Sequence, residues 1–444
     1  MLSKLLEYLK DKKILILGFG VEGKSTYSFV RKYFPDKHIT VCDRKENFED
    51  ELKEDKNVEC IHNDEYLKRV NEYDIIFKTP GISFKNVDIT SFEQKITSQL
   101  ELVLDYIDIY TIGITGTKGK STTSSLINYV LQQNGKNSIL LGNIGIPIFE
   151  HLDEITKDTI LVLELSSHAL EYIRKSPNIA ILLNVFEEHL DHYKSLDSYV
   201  NAKYNIFKYQ KKTDYAIYNI DNEIISKKAV LTNAKKIPVS MKNDMEVELR
   251  LVGNKIYYKD SVIYIDDNKR HILGNHNLNN IMFVLMVSII LNLDYKKTKQ
   301  AIDEFMPLEH RMEYVGKFDG IEYYNDSIAT IPQATINAIE TLQNVNTLIV
   351  GGKDRGVNLQ ELIDYLNNNK IENIICLPKT GEYIANEIKG KKVYLVDNLN
   401  QAVKIAKDKT AKGTICLLSP AASSYGYFKN FEERGNIFKA LVKQ

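Results

Sequence analysis

Two stretches of this chain share one ending. Residues 17–26 read LGFGVEGKST and residues 113–122 read GITGTKGKST, and each follows or contains an apolar run. A strand that runs into a glycine turn and then a helix points backbone N–H groups at a helix N-terminus, which suits an anion. Such strand–turn–helix units build parallel sheets covered by helices, so two of them place the chain in the α/β class.

The two loops are not equivalent. The first fits the P-loop pattern G-x-x-x-x-G-K-S over Gly18–Ser25, and it also fits the dinucleotide pattern G-x-G-x-x-G at Gly18, Gly20 and Gly23. Glu22 lies inside it, where a carboxylate opposes a dense triphosphate. Asp43 ends the next strand at the spacing of an acid that meets a ribose hydroxyl, 43 − 23 = 20 residues after the last glycine. This loop therefore suits a diphosphate joined to a sugar, and its Gly-Lys-Ser-Thr ending reads as the first turn of a helix. A glycine turn used only for close packing is the plainer alternative. The second loop holds no acid. Lys120 and Ser121 have the types and order that serve phosphate and magnesium, and Glu164, ending the strand in LVLELSS, suits a further magnesium ligand. The triphosphate is expected here.

At 444 residues the chain exceeds one ordinary core. Charged residues make up 26% and the formal net charge is -1, which argues against broad nucleic-acid binding. Four scattered cysteines show no C-x-x-C pair, so neither a zinc site nor a disulfide framework is indicated, and a cytoplasmic setting is expected. The run IMFVLMVSIILNL is too short to span a bilayer and reads as a buried helix. Three α/β blocks follow, 1–107, 108–307 and 308–444. Short Tyr/Val/Ile runs between about 214 and 272 read as antiparallel hairpins added to the second block.

GITGTKGKST resembles the ATP loop of the Mur ligases and folylpolyglutamate synthetase. GNIG, ELSSHALE, NVFEEHLDHY, AKYNIF, GNHNLNN, HRMEYV and YYNDSIAT then occur in the order found in the Mur ligase family. The C-terminal LLSPAASSYGYFKNFEERGNIF is most similar to the members that add D-glutamate. The resemblance covers essentially the whole chain. It implies a Rossmann-like first domain holding a uridine diphosphate substrate, a central ATP-binding domain with a small antiparallel sheet, and a Rossmann-like third domain binding D-glutamate.

Residue by residue, it implies that Gly18, Gly20, Val21, Glu22, Gly23, Asp43, Arg44, Thr79, Pro80, Gly81 and Asn143 hold the uridine diphosphate substrate. Gly116, Thr117, Lys118, Gly119, Lys120, Ser121, Thr122, Asn277, Asn280, Arg311 and Asp326 are implied for ATP. Ser121, Glu164, His189 and a carbamylated Lys203 are implied around two magnesium ions, with Lys120, His189 and Lys203 catalytic. Thr330, Arg355, Ser424 and Phe431 are implied for D-glutamate. Three positions depart from the pattern: Lys118 replaces the usual Asn and adds positive charge beside the phosphates, SSHAL is the form of the ligase that adds the third residue, and Arg355 replaces Lys.

The implied reaction joins a carboxylate to an amine. ATP phosphorylates the L-alanyl carboxylate of UDP-N-acetylmuramoyl-L-alanine, and the amine of D-glutamate displaces phosphate from the acyl phosphate. Two anions must meet, which calls for concentrated positive charge. A monomer without nucleic-acid partner or membrane span is expected. The rivals are a nicotinamide oxidoreductase resting on the first loop, a non-catalytic P-loop scaffold, and, within the family, the third-residue ligase and folylpolyglutamate synthetase.

Overall fold

The computed structural model describes residues 2–45, 47–143, 147–186, 188, 192–242, 246–267, 269–354 and 356–444. It divides into two compact units, Met1–Arg270 with His276–Phe305, and His271–Asn275 with Met306–Gln444.

The first unit holds two sheets. In one, β1 (Ile14–Leu17), β2 (Ile39–Asp43), β3 (Val58–His62), β4 (Ile75–Lys78) and β5 (Ile96–Thr97) lie in the order β3-β2-β1-β4-β5, all parallel. The order reverses direction at β1, so a crevice opens beyond its C-terminal end, where doubly wound sheets bind ligands. β1 is apolar and buried at every position because helices cover both faces.

The second sheet has β6 (Tyr110–Thr115), β7 (Ser138–Gly142), β8 (Ile160–Glu164), β9 (Ile179–Leu182), β10 (Tyr215–Asn219), β11 (Lys235–Ser240), β12 (Leu249–Val252), β13 (Lys255–Tyr258) and β14 (Ser261–Ile265). Their order is β14-β13-β12-β11-β10-β9-β6-β8-β7. The hairpins expected over 214–272 begin only at β12. β10 and β11 are parallel members of the main sheet, and β12 pairs onto β11, so the hairpins extend that sheet's edge instead of standing apart. The crossover between β10 and β11 is the short helix Glu223–Ala229, too brief to leave a helical period in the sequence.

One apolar core runs from Leu5 through Phe29, Phe77 and Phe149 to Phe207 and joins the two sheets. Phe29 and Phe149 lie with ring centroids 4.3 Å apart. Gln99 ties the same seam: its amide donates to Thr26 Oγ1 at 2.9 Å on the helix after β1, and its Oε1 accepts from Phe149 N at 3.0 Å. Arg174 donates to the buried Glu101 at 3.0 Å and to the Ile96 carbonyl at 3.1 Å.

The second unit contains β15 (Glu313–Phe318), β16 (Ile321–Asn325), β17 (Val345–Gly352), β18 (Asn373–Lys379), β19 (Lys392–Leu395) and β20 (Ile415–Leu418), in the order β15-β16-β20-β17-β18-β19. β15 and β16 form an antiparallel hairpin and the remaining pairs are parallel. No described helix is long and apolar enough to cross a membrane. The apolar run after residue 280 lies in helix Asn275–Ile290, whose residues from Asn280 to Ser288 are all buried.

Candidate functional site

The first loop leaves β1 through Gly18, at φ +95°, and Gly20 caps helix Val21–Tyr33. A Cβ on Gly23 would sit 2.0 Å from the Gly18 carbonyl oxygen, so this glycine is required by contact between loop and helix. Asp43 serves the loop directly: its carboxylate accepts from the Phe19 and Lys45 N–H groups, the latter at 2.7 Å. Lys24 is the fourth residue of the helix, and its ammonium pairs with Glu51 on the surface at 2.5 Å.

Beside this loop lies a cleft of about 690 Å³. Gly18, Gly20, Val21, Glu22, Asp43, Arg44, Thr79, Pro80, Gly81 and Asn143 all line it, so ten of the eleven residues expected to hold the uridine diphosphate substrate meet at one place. Gly23 is the eleventh and stands behind the loop. Burial pushes the Glu22 carboxyl up to about 7, with Lys78 opposing. Glu164 lines the same cleft from the end of β8. It is 2% exposed; its Oε1 accepts from Asn143 Nδ2 at 3.0 Å, while its Oε2 has no hydrogen-bond partner. An orphaned buried carboxylate oxygen is costly unless a donor or cation meets it.

The second loop leaves β6, and Gly119, at φ +86°, caps helix Lys120–Gln133. Asn280 Oδ1 lies where a Gly119 side chain would be, 2.7 Å from its ideal Cβ, and Asn280 donates to Asn277 at 2.9 Å. Both asparagines are buried beside the loop. Asn184 fixes it from the other side, accepting from Lys118 N at 2.8 Å and donating to Lys118 O at 3.0 Å. Thr117 Oγ1 accepts from Phe186 N at 3.0 Å and meets Tyr199 Oη at 3.0 Å. Lys120 opens the helix and curls back, donating to the Gly116 and Thr117 carbonyls at 2.9 and 3.1 Å. Ser121 and Thr122 follow in the first turn.

Lys203 reaches the same Gly116 carbonyl, at 3.0 Å. It sits on helix Leu196–Lys208, started by a capping box between Ser195 and Ser198, where such a cap contributes about 1 kcal/mol. Tyr199, Lys203, Ile206 and Phe207 fall on one face at i, i+4, i+7 and i+8 spacing, so the lysine goes into the core with its neighbours. Its ammonium is 4.9 Å from the Tyr199 ring centroid. Burial, then repulsion from Lys120, holds its pKa well below the usual lysine value. Lys118 does not add an uncompensated charge beside the loop, because its ammonium pairs with Glu188 at 3.0 Å. His189 lies outside the described residues.

In the second unit Asp326 follows β16 and is 4% exposed. Ser419 Oγ donates to it at 2.8 Å and Met312 N at 3.2 Å, and burial raises its carboxyl to about 7. Arg311 lies next to Met312 in sequence and acts electrostatically on the same carboxyl. Arg434 is 0% exposed and donates to Ser327 O at 2.7 Å and Ala422 O at 3.2 Å, fixing the segments that lead to Thr330 and Ser424. Phe431 begins the last helix, with its carbonyl accepting from Ser327 Oγ at 2.8 Å. A bridge between Lys353 and Ser423 brings the β17 end beside Ser424, and Arg355 lies outside the described residues.

Sequence reasoning missed a buried cluster behind the cleft. Lys78 ends β4 with its side chain 2% exposed, 3.3 Å from Glu171, whose carboxylate also meets His192 Nε2 at 3.2 Å. Ser83, lining the cleft, donates to the His192 carbonyl at 2.8 Å. The one available signal was a lysine at the end of an otherwise apolar strand.

Two family profiles match the chain, the Mur ligase middle domain over residues 114–288 and the Mur ligase glutamate ligase domain over residues 310–422. The UDP-N-acetylmuramoylalanine--D-glutamate ligase of Koribacter versatilis (strain Ellin345) is 32% identical over 456 residues, covering 98% of this chain and 98% of the relative. The ligase of the same name from Clostridium kluyveri is 32% identical over 453 residues, covering 98% and 97%. Among solved structures, UDP-N-acetylmuramate-alanine ligase MurC from Thermotoga maritima superposes with a TM-score of 0.61 at 18% identity, over 97% of this chain and 99% of its own. MurF ligase from the same organism, in complex with ADP, gives 0.62 at 17% identity over 92% and 95%. At those identities the structures speak to the fold.

Proposed function

The chain belongs to the Mur ligase family, and from that premise we propose that it joins D-glutamate to UDP-N-acetylmuramoyl-L-alanine at the expense of ATP, in the synthesis of peptidoglycan precursors. Relatives of that name span nearly its whole length. An oxidoreductase reading leaves the second loop without a purpose.

The observation that carries the division of labour is the position of Glu164. It lines the cleft of the first loop and ends β8, the strand paired along its length with β6, from which the second loop springs. The nucleotide of the substrate lies on the first loop, ATP lies on the second, and the L-alanyl carboxylate and γ-phosphate meet between them. Lys120 and the N-terminus of helix Lys120–Gln133 draw negative charge from the transferring phosphoryl group. Asn143, bonded to Glu164, orients the acceptor carboxylate. Asn277 and Asn280 face the adenine side of the loop, and Arg311 and Asp326 supply contacts to the phosphates and ribose. Thr330, Arg355, Ser424 and Phe431 take D-glutamate.

Glu164 with its unpartnered oxygen and the Ser121 hydroxyl fit magnesium, which prefers hard oxygen donors; Lys203 would add oxygens only as its carbamate, and His189 is brought to the metal by the resemblance alone. Magnesium, when bound, would neutralise charge shared by the carboxylate and the phosphates. The lowered pKa of Lys203 favours the neutral amine that attack on carbon dioxide to form a carbamate requires. The protein works as a cytoplasmic monomer, with domains over 1–107, 108–307 and 308–444. Phosphate release from ATP with UDP-N-acetylmuramoyl-L-alanine, measured against a panel of amino acids, tests the proposal. D-glutamate should give strong turnover; preference for a diamino acid, or for L-glutamate with a folate, would overturn it.

A further inference from the structure

The cleft beside the first loop is poor in free positive charge for a site meant to hold a diphosphate. Among its described lining residues Arg44 is the one lysine or arginine, and its guanidinium is 3.1 Å from Asp64. Asp43 is held as an acceptor by Phe19 N and Lys45 N. Glu164 adds a further carboxylate, one oxygen of which accepts from Asn143 at the end of the adjacent strand. Lys78 lies behind Thr79 and is paired with Glu171 at 3.3 Å. Glu22 stands on the cleft wall in the first turn of helix Val21–Tyr33, its backbone carbonyl fixed by Gln99 Nε2 at 3.2 Å and Thr26 Oγ1 at 2.9 Å. The loop's own N–H groups and helix terminus favour phosphate. An ionised Glu22 in the same turn opposes it.

We propose that Glu22 takes up a proton when the nucleoside diphosphate sugar binds, so that the cleft presents a neutral acid to the phosphates. This rests on the assignment of the first loop to the uridine diphosphate substrate. Burial already raises the Glu22 carboxyl to about 7, against the pull of Lys78, and phosphates placed nearby raise it further. The sign follows from linkage. Well below pH 7 the acid carries its proton with or without ligand, and binding takes up none. Between the free and bound values binding takes up as much as one proton, and affinity falls by up to about tenfold per pH unit. The weakening therefore begins near pH 7 and runs upward.

Calorimetry of the whole chain with UDP-N-acetylmuramoyl-L-alanine tests this, because the diphosphate diester of that ligand does not titrate near neutrality. In buffers of different ionisation enthalpy at about pH 8, binding should take up a large part of one proton. Affinity should drop several-fold to about tenfold between roughly pH 7.5 and 8.5. Glu22→Gln should bind with neither proton uptake nor that slope. Binding by the wild type without proton uptake overturns the proposal and leaves the loop assignment standing, as does a Glu22→Gln variant that keeps the wild-type slope. If Gly23→Glu binds the nucleotide as tightly as the wild type, the loop assignment itself fails.

Discussion

The two glycine loops end in the same four residues yet use them differently, and the difference is one of register against the helix that follows. After β1 the helix begins at Val21, which makes Lys24 its fourth residue. The Lys24 N–H is spent on the Gly20 carbonyl, and the side chain points away to Glu51. After β6 the helix begins at Lys120 itself, so this lysine stands at the N-terminus and folds over the loop. A shift of three helical positions separates a lysine folded over its loop from one spent in a surface ion pair. A motif of this kind carries function only through where the helix starts.

The largest expected effect tests that contrast directly. On the proposed assignment of Lys120 to the phosphates, Lys120→Ala should lower the rate of acyl-phosphate formation by about 10³-fold while nucleotide-sugar affinity stays within about twofold. Equal loss of both would break the separation of the loops. Next is Lys203→Ala, expected to stay folded and lose about 10²-fold or more in turnover, with acetate or formate restoring part of it. Rescue by amines instead of carboxylates would show that the lysine acts through its own charge. Gly23→Ala follows: its Cβ would press on the Gly18 carbonyl, so affinity for the uridine nucleotide should fall by about tenfold or more while ATP affinity is kept. Direct titration with each ligand separates the two. The smallest effect sharpens the comparison most. Lys24→Ala removes a half-exposed ion pair and should change stability by less than about 1 kcal/mol and turnover by less than about threefold. A collapse of activity in that variant would mean the first loop uses its lysine after all.

Much of this was legible in the sequence because the informative features are local. Strand, glycine turn and helix start are neighbours along the chain, so both loops and the α/β class could be read directly, as could the place of Asp43 at the end of β2, though not its bonds to Phe19 N and Lys45 N. The register of the two lysines could not, since it depends on which N–H first closes a helical turn. The Lys78–Glu171 pair joins residues 93 apart in sequence (171 − 78 = 93), and the Asn184 clamp reaches back 66 positions. Such partners leave no period or spacing to detect. The parallel β10–β11 pair was hidden for the same reason: Tyr/Ile-rich segments read alike whether their partner runs with them or against them. His189 and Arg355 rest on the resemblance alone.

Gln99 has a consequence for heredity. One side-chain amide serves a hydroxyl behind the first loop through its nitrogen and a main-chain N–H of the neighbouring sheet's turn through its oxygen. Replacing it with glutamate would spoil the donor, and leucine would spoil both, leaving Phe149 N without its acceptor while Thr26 Oγ1 keeps its bond to the Glu22 carbonyl. No single compensating change repairs that. A recombination that exchanged the first hundred or so residues for those of another nucleotide-binding module would therefore lose both bonds unless the incoming piece brought an amide to the same point. The seam couples the two modules physically, so exchanging one without the other is expected to cost stability at both.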